Sequence, residues 1–158
     1  MNQIFKKPFV SDLLKETLRS GAIAALVMMP FGLFFKKMGL RMNEYGPKTI
    51  QLIFGDLQPA LKFAFGIIEH FLISWMVAVP LLLVLLWTFK RISTLLVGSL
   101  YGIVFYVIMN SLALPWFFGD PTPWELGFET IYPSLLVHTI YGLSVALTSR
   151  AFVVRWTG

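Results

Sequence analysis

Apolar residues along this chain gather into four blocks, separated by short stretches rich in charge, glycine and proline. The first block, Gly21 to Phe35, is closed by Lys36-Lys37. The second, about Phe63 to Phe89, is closed by Lys90-Arg91, and the third, about Ser93 to Trp116, follows almost at once. The fourth, about Tyr132 to Phe152, has Arg150 and Arg155 at its far end. A helix needs about 20 mostly apolar residues to cross the hydrocarbon layer. Short strands that alternate apolar and polar residues, the mark of a membrane barrel, are missing. In lipid the backbone must satisfy its own hydrogen bonds. The pattern therefore predicts an all-α membrane protein, a four-transmembrane-helix bundle forming a single integral membrane domain over 1–158. Its spans lie at about 21–37, 63–89, 93–116 and 132–152. The first block is short, but Lys36-Lys37 and no small-residue cleavage site follows it, so it reads as an uncleaved span.

The polar stretches add short interfacial helices. In residues 1–20, Ser11 is placed to cap a helix after Pro8, with Phe9, Leu13, Leu14 and Leu18 roughly on one face; this reads as an amphipathic helix leading into the first span. Residues 36–62 are punctuated by Gly39, Gly46, Pro47, Gly55 and Pro59, with a short surface helix over Thr49–Phe54. Arg41, Asn43, Glu44 and Tyr45 make a polar turn there that could lid the bundle. The loop 117–131 is acidic, and its Thr122-Pro123-Trp124-Glu125 has the layout of a capping box. The short connection at Lys90-Arg91 makes the second and third spans an antiparallel hairpin. Prolines 30 and 80 mark bends; apart from the prolines, no span reads as discontinuous. Gly98 with Gly102, Gly142 with Ala146, and Gly21 with Ala25 are spaced to let helices approach, within one chain or between copies.

Charge sets the orientation. Lys6, Lys7, Lys15, Arg19, Lys90, Arg91, Arg150 and Arg155 fall on one side, against Lys36, Lys37, Arg41, Lys48 and Lys62 on the other. The positive-inside rule places both termini in the cytoplasm. Trp116, Trp124 and Tyr132 then form an outer aromatic belt, and Trp87 and Trp156 an inner one. Only 13% of the residues are charged, 57% are hydrophobic, and the mean hydropathy is +0.75, about half the charge a soluble surface needs. The net charge of +5 is spent beside the spans, so nucleic acid is not expected as a partner; the bilayer is, with a homo-oligomer or larger membrane complex open. The absence of cysteine excludes disulfides, thiolate metal sites and cysteine nucleophiles.

Polar groups inside a span are costly, so each calls for a reason. Glu69 and His70 lie in the second span, Tyr106, Asn110 and Ser111 in the third, and Ser134, His138 and Tyr141 in the fourth. Gly66–His70–Ser74, Gly102–Tyr106–Asn110 and Ser134–His138–Gly142 are each one helix face. By depth, His70, Asn110 and His138 come to one level roughly 10 Å below the outer face, at about 1.5 Å per residue. This predicts a polar pocket open to the outer leaflet, with Glu69, His70, Tyr106, Asn110, Ser134, His138 and Tyr141 as its ligand-binding residues. Such a cluster can hold helices in register, bind a ligand, or carry protons. It can also hold a cofactor, with His70 and His138 as axial ligands of haem b, or with Glu69 as a transition-metal site. No phosphate loop, zinc-protease helix or nucleophile elbow occurs, so nothing argues for an enzyme.

The stretch from about Glu69 to Ala146 resembles the YagU-like family of bacterial inner-membrane proteins. The shared features are His70 early in a long span, Leu114-Pro115 ending the next, the Pro123-Trp124-Glu125 loop, and His138 with Tyr141 three residues on. The resemblance implies a bacterial inner-membrane location and a link to stress or acid tolerance, and histidine where this chain has Asn110.

Overall fold

The computed structural model describes residues 7–40 and 45–158. Readings involving Lys6, Arg41, Asn43 and Glu44, and with them the polar turn after the first block, lie outside the described residues. The elements are α1 (Lys7–Lys37), α2 (Tyr45–Phe54), α3 (Pro59–Thr88), α4 (Thr94–Val107), a π-helical turn (Ile108–Ala113), α5 (Leu114–Phe118), α6 (Pro123–Leu126), α7 (Phe128–Thr148) and α8 (Arg150–Thr157). No strand occurs among the described residues. Four helical stretches, Phe9–Lys37, Pro59–Thr88, Thr94–Phe118 and Phe128–Thr148, are long and apolar enough to cross a membrane.

Several boundaries differ from the sequence expectation: α2, α3 and α7 each begin about four residues earlier, and two further differences have a visible cause. The amphipathic helix and the first span are one continuous helix, α1. Its polar residues do not interrupt it because they find partners along their own side. Arg19 donates to both carboxylate oxygens of Glu16 at 3.1 and 2.6 Å, and Arg155 on α8 pairs with Asp12 at 2.8 Å. Phe9 packs against Phe152 and Trp156, with ring centroids 6.5 and 5.0 Å apart, so the start of α1 lies on α8. The fourth span stops at Thr148 instead of running on to 152. There the Thr148 carbonyl accepts a hydrogen bond from Arg19, and the backbone turns at Ser149 into α8.

The helices form a ring in the order α1–α3–α4–α7. The expected hairpin of α3 and α4 is present in the chain, but those two touch far less than α4 and α7 do, and α1 packs on both α3 and α7. Glycine explains the preference. A Cβ on Gly102 would meet the carbonyl of His138 and lie 2.8 Å from Thr139 Cα; one on Gly98 would meet the Gly142 carbonyl and lie 2.7 Å from Ala146 Cβ. Backbone therefore rests on backbone along this seam, where Cα–H···O contacts add to dispersion. The α1–α3 seam is looser and polar. Ser74 donates to the Gly21 carbonyl at 2.7 Å and Trp75 to the Leu18 carbonyl at 3.1 Å.

Ala24, Leu81, Leu82, Leu85, Val145 and Val153 fill a dense core toward the α8 end. Around the bundle large apolar side chains face outward, among them Leu33, Phe34, Met76, Leu100 and Leu112. The π-helical turn was not anticipated. Pro115 has no N–H for the Ser111 carbonyl four residues back, and its ring crowds that oxygen. Widening the turn relieves both problems, and the Leu114 N–H reaches back five residues to the Met109 carbonyl.

Candidate functional site

The end of the bundle opposite α8 is not filled. A cavity of about 330 Å³ lies between α1, α3, α4 and α7, with the start of α2 across it. Helical spacing builds its polar side. Gly66, Glu69, His70 and Ser74 on α3 face Ser134, His138 and Tyr141 on α7, and Lys36 stands at the end of α1. Met28, Met29, Ile73, Val77, Phe105 and Val137 make the apolar walls. The volume falls at the small end of the range for ligand pockets, about 300–1,000 Å³.

Each polar group is oriented by a backbone partner. Tyr141 donates its hydroxyl proton to the Ser74 carbonyl at 2.6 Å, and Ser74 donates its own to Gly21 at 2.7 Å. His70 Nε2 lies 3.2 Å from the Ala25 carbonyl, and His138 Nδ1 lies 2.6 Å from the Ser134 carbonyl. A carbonyl only accepts, so these nitrogens are the donors of their hydrogen bonds. The His138 ring is packed between Phe105 and Tyr106, with centroids 5.5 and 5.8 Å away. The Thr49 hydroxyl on α2 hydrogen-bonds the Glu69 carboxylate. Among the described residues, buried Glu69 Oε2 has no hydrogen-bond partner. A Cβ on Gly46 would lie 2.9 Å from that oxygen, so glycine at 46 lets α2 close over Glu69.

Two of the expected pocket residues lie elsewhere. Tyr106 and Asn110 do not line the cavity. The Gly102–Tyr106 face turns onto α7, which buries Tyr106 in the seam, and Asn110 falls in the π-helical turn, where its amide donates to the Tyr106 carbonyl at 3.1 Å. The metal set is corrected as well. Among the described residues no three His, Asp or Glu side chains converge as Glu69, His70 and His138 would have to. Their polar atoms are directed apart, to Thr49, to Ala25 on α1, and to Ser134 on α7. A haem bound through His70 Nε2 would first have to break its hydrogen bond to the Ala25 carbonyl.

Sequence reasoning missed Lys36, Gly46, Met28, Met29 and Phe105 as lining residues. Gly46-Pro47 was the available signal for α2, since it starts a helix beside a turn; nothing in the sequence marks the others. The chain matches no family model, no curated protein and no solved structure.

Proposed function

We propose that this protein is a multi-pass membrane protein that binds an amphipathic small molecule in the cavity beneath α2. The carrying observation is the cavity itself, which joins apolar walls from α1, α3, α4 and α7 to polar side chains of α3 and α7. The outward-facing Leu33, Phe34, Met76, Leu100 and Leu112 support a lipid surround, because apolar patches on that scale do not face water in soluble monomers. The basic residues at the α8 end support an orientation with α8 cytoplasmic and α2 outward. The resemblance to YagU-like proteins supports the bacterial inner membrane as the location, with a role in stress tolerance.

A role as an accessory or scaffold subunit draws less support, because the small-residue faces that would dock a partner are occupied within the chain. Gly98, Gly102 and Gly142 are used in the α4–α7 seam, and Gly21 is used against Trp75.

Native mass spectrometry of the detergent-purified protein tests the binding reading. Gly32 lines the cavity and a Cβ there meets nothing within 4 Å, so Gly32→Trp can occupy the space without a backbone clash. The wild type should retain a small species at near one per chain that Gly32→Trp loses. Identical adducts on both proteins would refute the reading.

A further inference from the structure

Three polar groups lining the cavity have their proton engaged by a backbone carbonyl. Tyr141 and Ser74 have each given their one hydroxyl proton to a backbone carbonyl, and His70 has given its ring proton to Ala25. What these groups still present is a lone pair. Among the described residues Glu69 is the one acidic side chain lining the cavity, and its Oε2 is buried without a hydrogen-bond partner. The bond from Thr49 fixes the carboxylate, so the open oxygen is held ready for a donor. Among the described residues no ion pair engages Glu69. A buried carboxylate oxygen left without a donor is costly, and a ligand that brings one relieves the cost.

We propose that the ligand is an aliphatic ammonium, its nitrogen taken by Glu69 Oε2 and its chain laid along Met28, Met29, Val77, Phe105 and Val137. This rests on the binding reading above. An ammonium brings three donors and a positive charge to a site that offers acceptors and a negative one. A neutral hydroxyl brings one donor and no charge. An anionic head meets Glu69, with Lys36 as the one cationic residue among those lining the cavity.

The ammonium can belong to a lipid headgroup or to a free amine. The test uses the full chain in phosphatidylcholine nanodiscs, titrated calorimetrically with decylammonium, decanol and decyl sulfate, and protein-free discs subtracted. Decylammonium should bind about tenfold or more tighter than decanol, the scale of a charge-assisted hydrogen bond. Glu69→Gln, which keeps the shape of the side chain, should erase that preference. Substituting phosphatidylethanolamine into the disc should weaken decylammonium if the lipid headgroup is the source and leave it unchanged if a free amine is. Equal binding of decylammonium and decanol, an unaltered preference in Glu69→Gln, or a preference for decyl sulfate would overturn the ammonium assignment while leaving the cavity a binding site. Binding of all three that Gly32→Trp does not reduce would overturn the binding reading itself.

Discussion

Replacing Gly102 by alanine puts a methyl group where α7 already has backbone. The new Cβ meets the His138 carbonyl and would lie 2.8 Å from Thr139 Cα, and neither neighbour is the end of a flexible side chain. The helices must move apart, which loosens the contacts of Gly98 with Gly142 and Ala146 one turn away. Overpacking a close contact costs about 1–3 kcal/mol, and a backbone obstacle belongs at the upper end. Alanine recovers about 1 kcal/mol of helix propensity over glycine. The net loss is about 2 kcal/mol, roughly a 30-fold fall in the folding constant. Reversible unfolding in mixed micelles with increasing SDS, followed by far-ultraviolet circular dichroism, measures it. Gly32→Ala, at a helical glycine with open space, is the control and should be neutral or slightly stabilising. Gly98→Ala combined with Gly102→Ala should lose less than the sum, because helices already separated by one methyl have room for the next. A Gly102→Ala protein as stable as Gly32→Ala would refute the claim that backbone contact holds α4 to α7.

Arg19→Leu should cost about 2 kcal/mol in the same assay, a value for charged hydrogen bonds reduced by the half-exposed guanidinium, since it strips Glu16 and the Thr148 carbonyl of their donor; Glu16→Leu added to it should recover part of the loss. At the other end, the Thr122 backbone N–H and then its hydroxyl donate to Glu125 and hold its carboxyl below the ordinary carboxylate range. The lowered value means that this cap contributes fully above about pH 4.5 and is lost as pH falls through the folded value. Amide protection factors in residues 122–127, corrected for the intrinsic exchange rate at each pH, should therefore fall with acidification below that point, and Glu125→Gln should flatten the dependence. Since the chain has no cysteine, single substitutions report topology directly. An impermeant maleimide should label Asp56→Cys and spare Ser93→Cys in right-side-out vesicles; the reverse pattern would invert the orientation.

The four long helices were legible because apolar blocks of the length that lipid demands leave little choice of structure. Their partners were not. The short Lys90-Arg91 connection says that α3 and α4 run antiparallel, but a loop does not say which faces meet, and the glycine rows on α4 and α7 decide that. The rows were visible as spacing, yet nothing in one sequence pairs Gly102 with His138 in space. Depth counting placed Asn110 beside His70 and His138 on the assumption of one unbroken helical phase. Pro115 signalled the break, but its effect reaches back over a whole turn, to residues 108–113. On α3 and α7 no such break intervenes, and Glu69, His70, Ser74, Ser134, His138 and Tyr141 all line one cavity. The continuity of α1 was hidden because Lys15, Glu16 and Arg19 set the amphipathic stretch apart from the apolar block that follows, whereas Glu16 and Arg19 satisfy each other.

The ring order α1–α3–α4–α7 also has a consequence in time. A chain made from its N-terminus delivers α1 and α3 together, and they can join at once through Ser74 and Trp75. Helix α4 arrives with its glycine face bare, for its true neighbour is the last long helix to be made. Until α7 follows, two of the ring's four seams, α4–α7 and α1–α7, are missing, and the cavity has no fourth wall. Assembly of the ring thus waits on the final long helix, as when membrane helices insert first and associate afterwards. Occupancy of the pocket becomes a property of the finished chain alone, and a ligand that binds there stabilises only molecules that have closed.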